Sequence, residues 1–453
     1  MKMIDSYNPA DGSLIGTVES TEIAEIGNIV DKASEAQKKW AETEIDDRID
    51  VLIKAGQVLM DRADDISLLL SMEMGKNLRR SMGEVDGSAR SIGYVTAGVK
   101  DAIKPLIFEN GRYRTTVKYE PIGVCGIISP WNYPVSMAHW MIIPALTAGN
   151  AVVLKPSEET PLVAKAYVDA LNEVLPKDLL QIVFGDEEQG RALVEAETDF
   201  IGFTGSLSAG KDIMKRAARS MKPLIMELGG KDPLIVLHDA DIESAAGFAV
   251  ANSLENSGQM CISTERIFVD KRIAEDFREK ITEYISFYKV GPYTDPDAEI
   301  GPIINEVQRE RILDHIRDAV ENGAEIIAGG EVHPDKYVLP TVLWGVTDDM
   351  KIAREETFGP VVCVTEFSDA EDAVISANGT EYGLGAVVFG KKDAEKVAAG
   401  LKAGMVGINT GAGGGVDTPW VGAKQSGFGY HGSPDGHRQF TQPKVVNEII
   451  MKI

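Results

Sequence analysis

From Ile45 onward the positions Ile49, Leu52, Ile53, Gly56, Leu59 and Met60 recur at the spacing that gathers side chains on one helical face, with charged residues filling the gaps. An amphipathic helix is expected there, followed by more helical sequence to about Val99. The pattern then changes to short apolar runs bounded by turn residues: GVCGIIS, AVVLKPS, QIVFG, FIGFTG and PLIMELGG. Helix-length segments such as Pro161 to Leu175 and Gly205 to Met221 separate several of them, the alternation that builds parallel sheets. Residues 123–230 therefore read as a doubly wound α/β unit. A second alternation runs from about Asp232 to Asn409, with RIFVD, VVCVTEF, GAVVFG and MVGIN as strands, and implies a second α/β lobe. RYRTTVKYE and KVVNEIIMK alternate like edge strands and belong to neither lobe, so a projecting sheet that pairs with another subunit is expected.

A chain of 453 residues has length for about three domains, or two with an appendage. Its 44% hydrophobic and 26% charged content suits a compact fold with little disorder. The formal charge of −24 speaks against a nucleic-acid or anionic-membrane partner, since binding either begins with Lys and Arg neutralising negative charge. Three cysteines without paired spacing give neither a disulfide framework nor a metal signature, so no metal is expected and the reducing cytosol is the natural compartment. The start, MKMIDSYNPADGSLIG, is polar and turn-rich with no apolar leader, and no apolar run reaches the ~18 residues a membrane span needs, so a soluble cytoplasmic protein is expected.

Cys125 in PIGVCGIIS and Cys363 in GPVVCVTEF lie inside apolar runs, as packing thiols do. Cys261 in NSGQMCIST sits in a short polar turn, which marks it as a candidate nucleophile. None of the histidines His139, His238, His315, His333, His431 and His437 carries a cysteine-protease signature, so a Cys/His hydrolase is unsupported. GSLSAGKD nearly fits the phosphate-loop pattern, but Asp212 stands where a hydroxyl residue would hold magnesium, which weakens a nucleotide hydrolase. In FTGS a strand ends and a helix opens, so a pyrophosphate could sit at Ser206; an ordinary capping serine explains the same residues. Glu227 ends an apolar strand in MELGGKDP, where partial desolvation suits a general base and a plain salt bridge is the alternative. Asn132 in SPWNYP sits in a rigid turn, with an amide able to face an oxyanion or simply to close the turn.

Taken in order, SPWNYP, LKPSE, FTGS, MELGGK, GQMC, EETFGP, GINTG and PWVGAKQSGFG resemble the aldehyde dehydrogenase superfamily over nearly the whole chain. The resemblance implies an α/β fold with a Rossmann-type cofactor domain over 1–110 and 121–229, a catalytic domain over 230–430 and a small β oligomerisation arm over 111–120 and 431–453. It implies Cys261 as the nucleophile, Asn132 with the Cys261 backbone N–H as the oxyanion site, and Glu227 as the base that hydrolyses the thioester. The presence of Glu227 favours hydrolysis over transfer of the acyl group to coenzyme A. Carried over in the same way, Lys155 and Glu158 hold the adenine ribose, Gly205 and Ser206 the pyrophosphate, and Glu356 and Phe358 the nicotinamide ribose and ring, with Trp131 beside that pocket. The cofactor is NAD or NADP: Glu158 suits the free ribose hydroxyls, whereas Lys155 and Ser157 suit a 2′-phosphate if Glu158 turns away. Succinate-semialdehyde dehydrogenases typically carry an arginine where this chain has Trp140, next to His139, so a small uncharged or hydroxy aldehyde such as glyceraldehyde or lactaldehyde is expected. Succinate semialdehyde, a non-catalytic cofactor-binding role, and Trp140 as core packing are the alternatives. The resemblance also implies a homodimer or homotetramer.

Overall fold

The computed structural model describes residues 2–330, 337–415 and 417–450; His333 and the end of KVVNEIIMK lie outside them. The chain opens with an antiparallel hairpin, Met3–Tyr7 against Leu14–Glu19, in the stretch that reads from sequence as only polar and turn-rich. Helices Ile23–Glu42, Ile45–Asp61, Ala63–Met74 and Leu78–Ala102 follow. The first of them buries Ile26, Val30, Ala33 and Trp40, and the Trp40 indole donates to the Leu146 carbonyl at 2.8 Å. The helical run expected between Ile45 and Val99 is broken at Arg62 and again at Gly75, whose φ of +84° is left-handed and where a Cβ would collide with Pro302.

The six-stranded sheet takes the order Gly427–Phe428, Leu224–Glu227, Phe200–Thr204, Val124–Ile128, Ala151–Lys155, Leu180–Ile182. All neighbours are parallel except the first pair. The apolar runs of residues 123–230 thus form one doubly wound sheet, its interior strands buried throughout. Successive strands step outward from Val124–Ile128 to Leu180–Ile182, and the chain then returns to the other side with Phe200–Thr204. The order therefore reverses between Val124–Ile128 and Phe200–Thr204, and the crevice beyond the carboxyl ends of such strands is where this architecture takes ligands.

The second sheet has seven strands: Glu325–Ala328, Thr341–Trp344, Val361–Phe367, Thr264–Asp270, Asp232–Val236, Gly385–Phe389 and Met405–Ile408. Only Glu325–Ala328 runs antiparallel to its neighbour. One short connection, Leu228 to Lys231, links Glu227 at the carboxyl end of a first-sheet strand to Asp232 at the amino end of a second-sheet strand. A third sheet pairs Thr441–Ile449 with Tyr113–Pro121, in register from Thr441 opposite Pro121 to Ile449 opposite Tyr113, and adds Leu106–Glu109 on the far edge. The two alternating segments thus pair with each other. Residues ahead of Thr441 do not join that sheet: the helix Ser433–Arg438 lies on Leu78–Ala102, where Arg438 Nε donates to the Ala102 carbonyl at 2.8 Å. Among the described residues no helix is long and apolar enough to cross a membrane.

Candidate active site

Cys261 lies immediately before Thr264–Asp270, at the amino end of a central strand of the seven-stranded sheet. The turn leading to it is unusual: Asn256, Ser257 and Gly258 have φ of 52°, 59° and 74° in succession, a left-handed run that costs energy for the two residues bearing a Cβ. Buried hydrogen bonds hold it. Ser257 Oγ donates to the Gly301 carbonyl at 3.1 Å, Gln259 Oε1 accepts from the Ile304 N–H at 3.0 Å, and Asn256 Nδ2 donates to the carbonyls of Asn132 and Gln259, both at 3.1 Å. Two glycines let neighbouring segments close on this turn, since a Cβ at Gly258 would strike the Gly359 carbonyl and one at Gly230 the Cys261 carbonyl. The GQMC, MELGGK and EETFGP stretches therefore meet backbone to backbone around the cysteine.

Burial, together with the carboxylates of Glu227, Asp232 and Glu356, pushes the Cys261 thiol up from its ordinary value. Cys125 and Cys363 are buried within strands, and burial pushes Cys363 up to about 12.

Asn132 follows Val124–Ile128 at the switch point and precedes the helix Pro134–Thr147. Its Nδ2 donates to the Gln259 carbonyl at 3.1 Å, which ties the amide to the cysteine turn and leaves its second hydrogen for another acceptor. The Asn132 backbone carbonyl accepts from Lys76 Nζ at 2.9 Å, and Lys76 also pairs with Glu84 at 2.6 Å, both side chains being fully enclosed. Glu84 in turn accepts the Val135 and Ser136 N–H groups at 3.0 and 3.1 Å, satisfying donors that the first turn of a helix leaves unpaired. Neither Lys76 nor Glu84 stands out in the sequence.

Glu227 is buried at the end of Leu224–Glu227. Its Oε1 is in ion-pair contact with His431 Nε2, a partner the sequence reading leaves unassigned. The pairing of Gly427 with Glu227 directs the chain beyond Phe428 back over the carboxylate, which places the histidine. The His431 ring stacks on Trp140, centroids 6.0 Å apart at 18°, and both line a cavity of about 360 Å³ with Tyr94, Met137, Trp420 and Asp417. His139 is elsewhere: it is buried, bonded to Ser91 Oγ at 2.8 Å and Tyr167 Oη at 3.0 Å, and burial lowers its pKa to about 3. The structure thus brings Trp140 to the cavity and leaves its neighbour in the helical core.

A second group of residues suits a dinucleotide. Ser206 caps Leu207–Ala217, its Oγ accepting from the Ala209 N–H at 3.3 Å, so the exposed first turn that follows Gly205 presents unpaired N–H groups and a positive dipole end. Lys155 and Ser157 are buried where Ala151–Lys155 ends, with Lys155 Nζ 3.2 Å from the exposed carboxylate of Glu158. Glu356 Oε1 accepts the Gly230 N–H at 3.0 Å, and burial, with the nearby Glu265 charge, raises Glu356 to about 7. Phe358 holds a left-handed φ of 56° and meets Trp131 edge-on at 5.4 Å. Its backbone is fixed from behind: Glu265 accepts the Thr357 and Phe358 N–H groups at 2.8 and 3.0 Å and pairs with the buried Lys231. The donor set fits a nicotinamide dinucleotide, with N–H groups for phosphate, carboxylates for ribose hydroxyls and two aromatic rings beside them. Asp212, by contrast, is held by Arg191 and Arg216 at 3.0 and 2.8 Å.

The aldehyde dehydrogenase family model matches residues 1–446. A probable NADP-dependent succinate-semialdehyde dehydrogenase of Sinorhizobium fredii is 37% identical over 97% of this chain and 91% of its own length. A betaine aldehyde dehydrogenase of Agrobacterium fabrum is 36% identical over 98% of this chain and 92% of its own. The crystal structure of lactaldehyde dehydrogenase from Escherichia coli superposes with a TM-score of 0.95 at 33% identity, covering 99% of this chain and 96% of that one.

Proposed function

The chain belongs to the aldehyde dehydrogenase family and is an NAD(P)-dependent aldehyde dehydrogenase, and from that premise we propose that Cys261 is its nucleophile, Asn132 its oxyanion donor and Glu227 the base of its hydrolytic step. The hydrogen bond from Asn132 Nδ2 to Gln259, two residues before Cys261, carries this reading, because it couples the amide's position to that of the sulfur.

Cys261 Sγ, once deprotonated, bonds to the aldehyde carbon, and the carbonyl oxygen takes the charge. The free Asn132 N–H and the Cys261 backbone N–H stabilise that oxygen. NAD(P), when bound, supplies the hydride acceptor that lets the thiohemiacetal become a thioester. Glu227 then removes a proton from water as the water oxygen bonds to the thioester carbon; the C–S bond breaks, releasing the carboxylic acid and restoring Cys261. Ser206 with Gly205 would hold the pyrophosphate, Lys155, Ser157 and Glu158 the adenine ribose with or without its phosphate, and Glu356, Phe358 and Trp131 the nicotinamide end.

For the substrate, the cavity beside Trp140 has aromatic walls and neither Lys nor Arg among its lining residues, so a distal carboxylate finds no cation there. A small uncharged or hydroxy aldehyde such as glyceraldehyde or lactaldehyde fits that lining. A second reading rests on Asp417 beside Tyr94, Trp140 and Trp420, a setting that attracts a quaternary ammonium as in betaine aldehyde. Reduced-cofactor absorbance with NAD and NADP, over glyceraldehyde, lactaldehyde, betaine aldehyde and succinate semialdehyde, separates these. Preference for succinate semialdehyde overturns the cavity argument. Retention of turnover by Cys261→Ala overturns the mechanism; the expected result is loss of oxidation with cofactor binding kept.

The exposed Ile107, Phe108, Val445 and Ile449 on the three-stranded sheet suit burial against another copy of the chain, supporting a dimer or tetramer.

A further inference from the structure

We propose that His431 is a positioning residue for Glu227, orienting its carboxylate toward the water of the hydrolytic step. The inference rests on the reading of Glu227 as base. His431 Nε2 lies in ion-pair contact with Glu227 Oε1, which leaves Oε2 to take the proton from water. Both side chains are 7% exposed, so their contact is screened little by solvent. The ring has few other orientations open to it, because one face lies on Trp140 and the backbone is bridged to Trp420, whose N–H donates to the His431 carbonyl at 2.9 Å. Nδ1 is buried without a hydrogen-bond partner among the described residues, so no second contact turns the ring away from Glu227.

The charged and titratable groups around the ring are Glu227 on its strand, His437 on Ser433–Arg438, and Asp417 and Tyr94 at the cavity wall, with Cys261 beyond Glu227. His437 is held neutral, its pKa lowered to about 4 by burial and then by His431. No Lys or Arg lines this cavity to compete with His431 for the Glu227 carboxylate.

The test uses 4-nitrophenyl acetate, which acylates a reactive thiol without oxidation and so does not depend on the identity of the aldehyde. The nitrophenolate burst reports acylation of Cys261, and the steady rate reports hydrolysis of the acyl-enzyme. His431→Phe is expected to keep the burst and to lose at least ~10-fold in the steady rate, part of the ~10²–10⁴ that a general base supplies. His431→Gln, whose amide can donate to Glu227, is expected to recover most of that rate. In Glu227→Gln, adding His431→Phe should cost nothing further, as expected of residues acting as a unit. An unchanged steady rate in His431→Phe would overturn the proposal. So would equal loss of burst and steady rate, failure of Gln to recover the rate, or additive losses in the double variant. A wild-type burst that survives in Cys261→Ala would instead overturn the assignment of the nucleophile, a failure of the underlying reading that the Cys261 control makes visible.

Discussion

Cys261 and Glu227 differ in what their environments ask of them. With the thiol pushed up by burial and by neighbouring carboxylates, acylation depends on removing its proton, so the rate of the acylation burst should rise with pH across the neutral range. A flat burst rate from pH 6 to 9 would show that the bound ligands, not the protein's carboxylates, set the charge of the sulfur. Glu227→Gln leaves the thiol in place and removes the proposed base. The expected result is one equivalent of reduced cofactor per subunit followed by turnover slowed by ~10²–10⁴, with the acyl-enzyme visible by intact-protein mass spectrometry. Both residues are legible in the sequence because each is chemically out of place: a cysteine in a polar turn, a carboxylate ending an apolar strand. His431 is not legible. Its partner lies on a strand about two hundred residues earlier, and the antiparallel pairing of Gly427 with Glu227 brings the two segments together. Adjacent positions mislead for a related reason: His139 and Trp140 differ by about 100° around one helix, and sequence alone does not say which azimuth faces the cavity.

Helices and strands here are positioned by buried charges as much as by apolar faces. Lys76 and Glu84 fix the loop of Asn132 and the first turn of Pro134–Thr147, and Lys76→Met would leave Glu84 charged and unpaired in the interior. A loss of about 3–5 kcal/mol is expected, read as a lower denaturation midpoint. Glu73 holds another helix start, accepting from the Leu162 and Val163 N–H groups at 2.9 and 2.7 Å and from Ser6 Oγ, and burial raises it to about 7. Its folded pKa lies above the 4.5 of the unfolded chain, so between those values the native state binds the extra proton and stability falls as pH rises. Glu73→Gln should flatten that part of the stability curve, by about 3 kcal/mol at most. An unaltered slope between pH 4.5 and 7 in urea titrations would refute it. Buried pairs of this kind leave no periodic trace, whereas the strands of both large sheets do, being continuous apolar runs between turns. Ile23–Glu42 went unread although Ile26, Val30, Ala33 and Trp40 form its buried face, and Leu106–Glu109 because all four residues are exposed and nothing alternates.

For the whole molecule, two long-range quantities pull against each other. The three-stranded sheet exposes Ile107, Phe108, Val445 and Ile449, an apolar surface that favours association. A formal charge of −24 on every copy opposes it. If the arm is where copies meet, salt should strengthen the assembly by screening repulsion over about 10 Å at 0.1 M while leaving the apolar contact intact. Sedimentation of the wild type at low and high salt should therefore show a shift toward the larger species as salt rises. Val445→Asp with Ile449→Asp should abolish that shift and yield a smaller particle whose circular dichroism is unchanged, because both side chains project from an outer strand and support neither large sheet. Cavity and cysteine turn are built from residues outside the three-stranded sheet, so the dissociated variant should still bind NAD(P). A particle of wild-type size in the double variant would move the contact surface away from the three-stranded sheet.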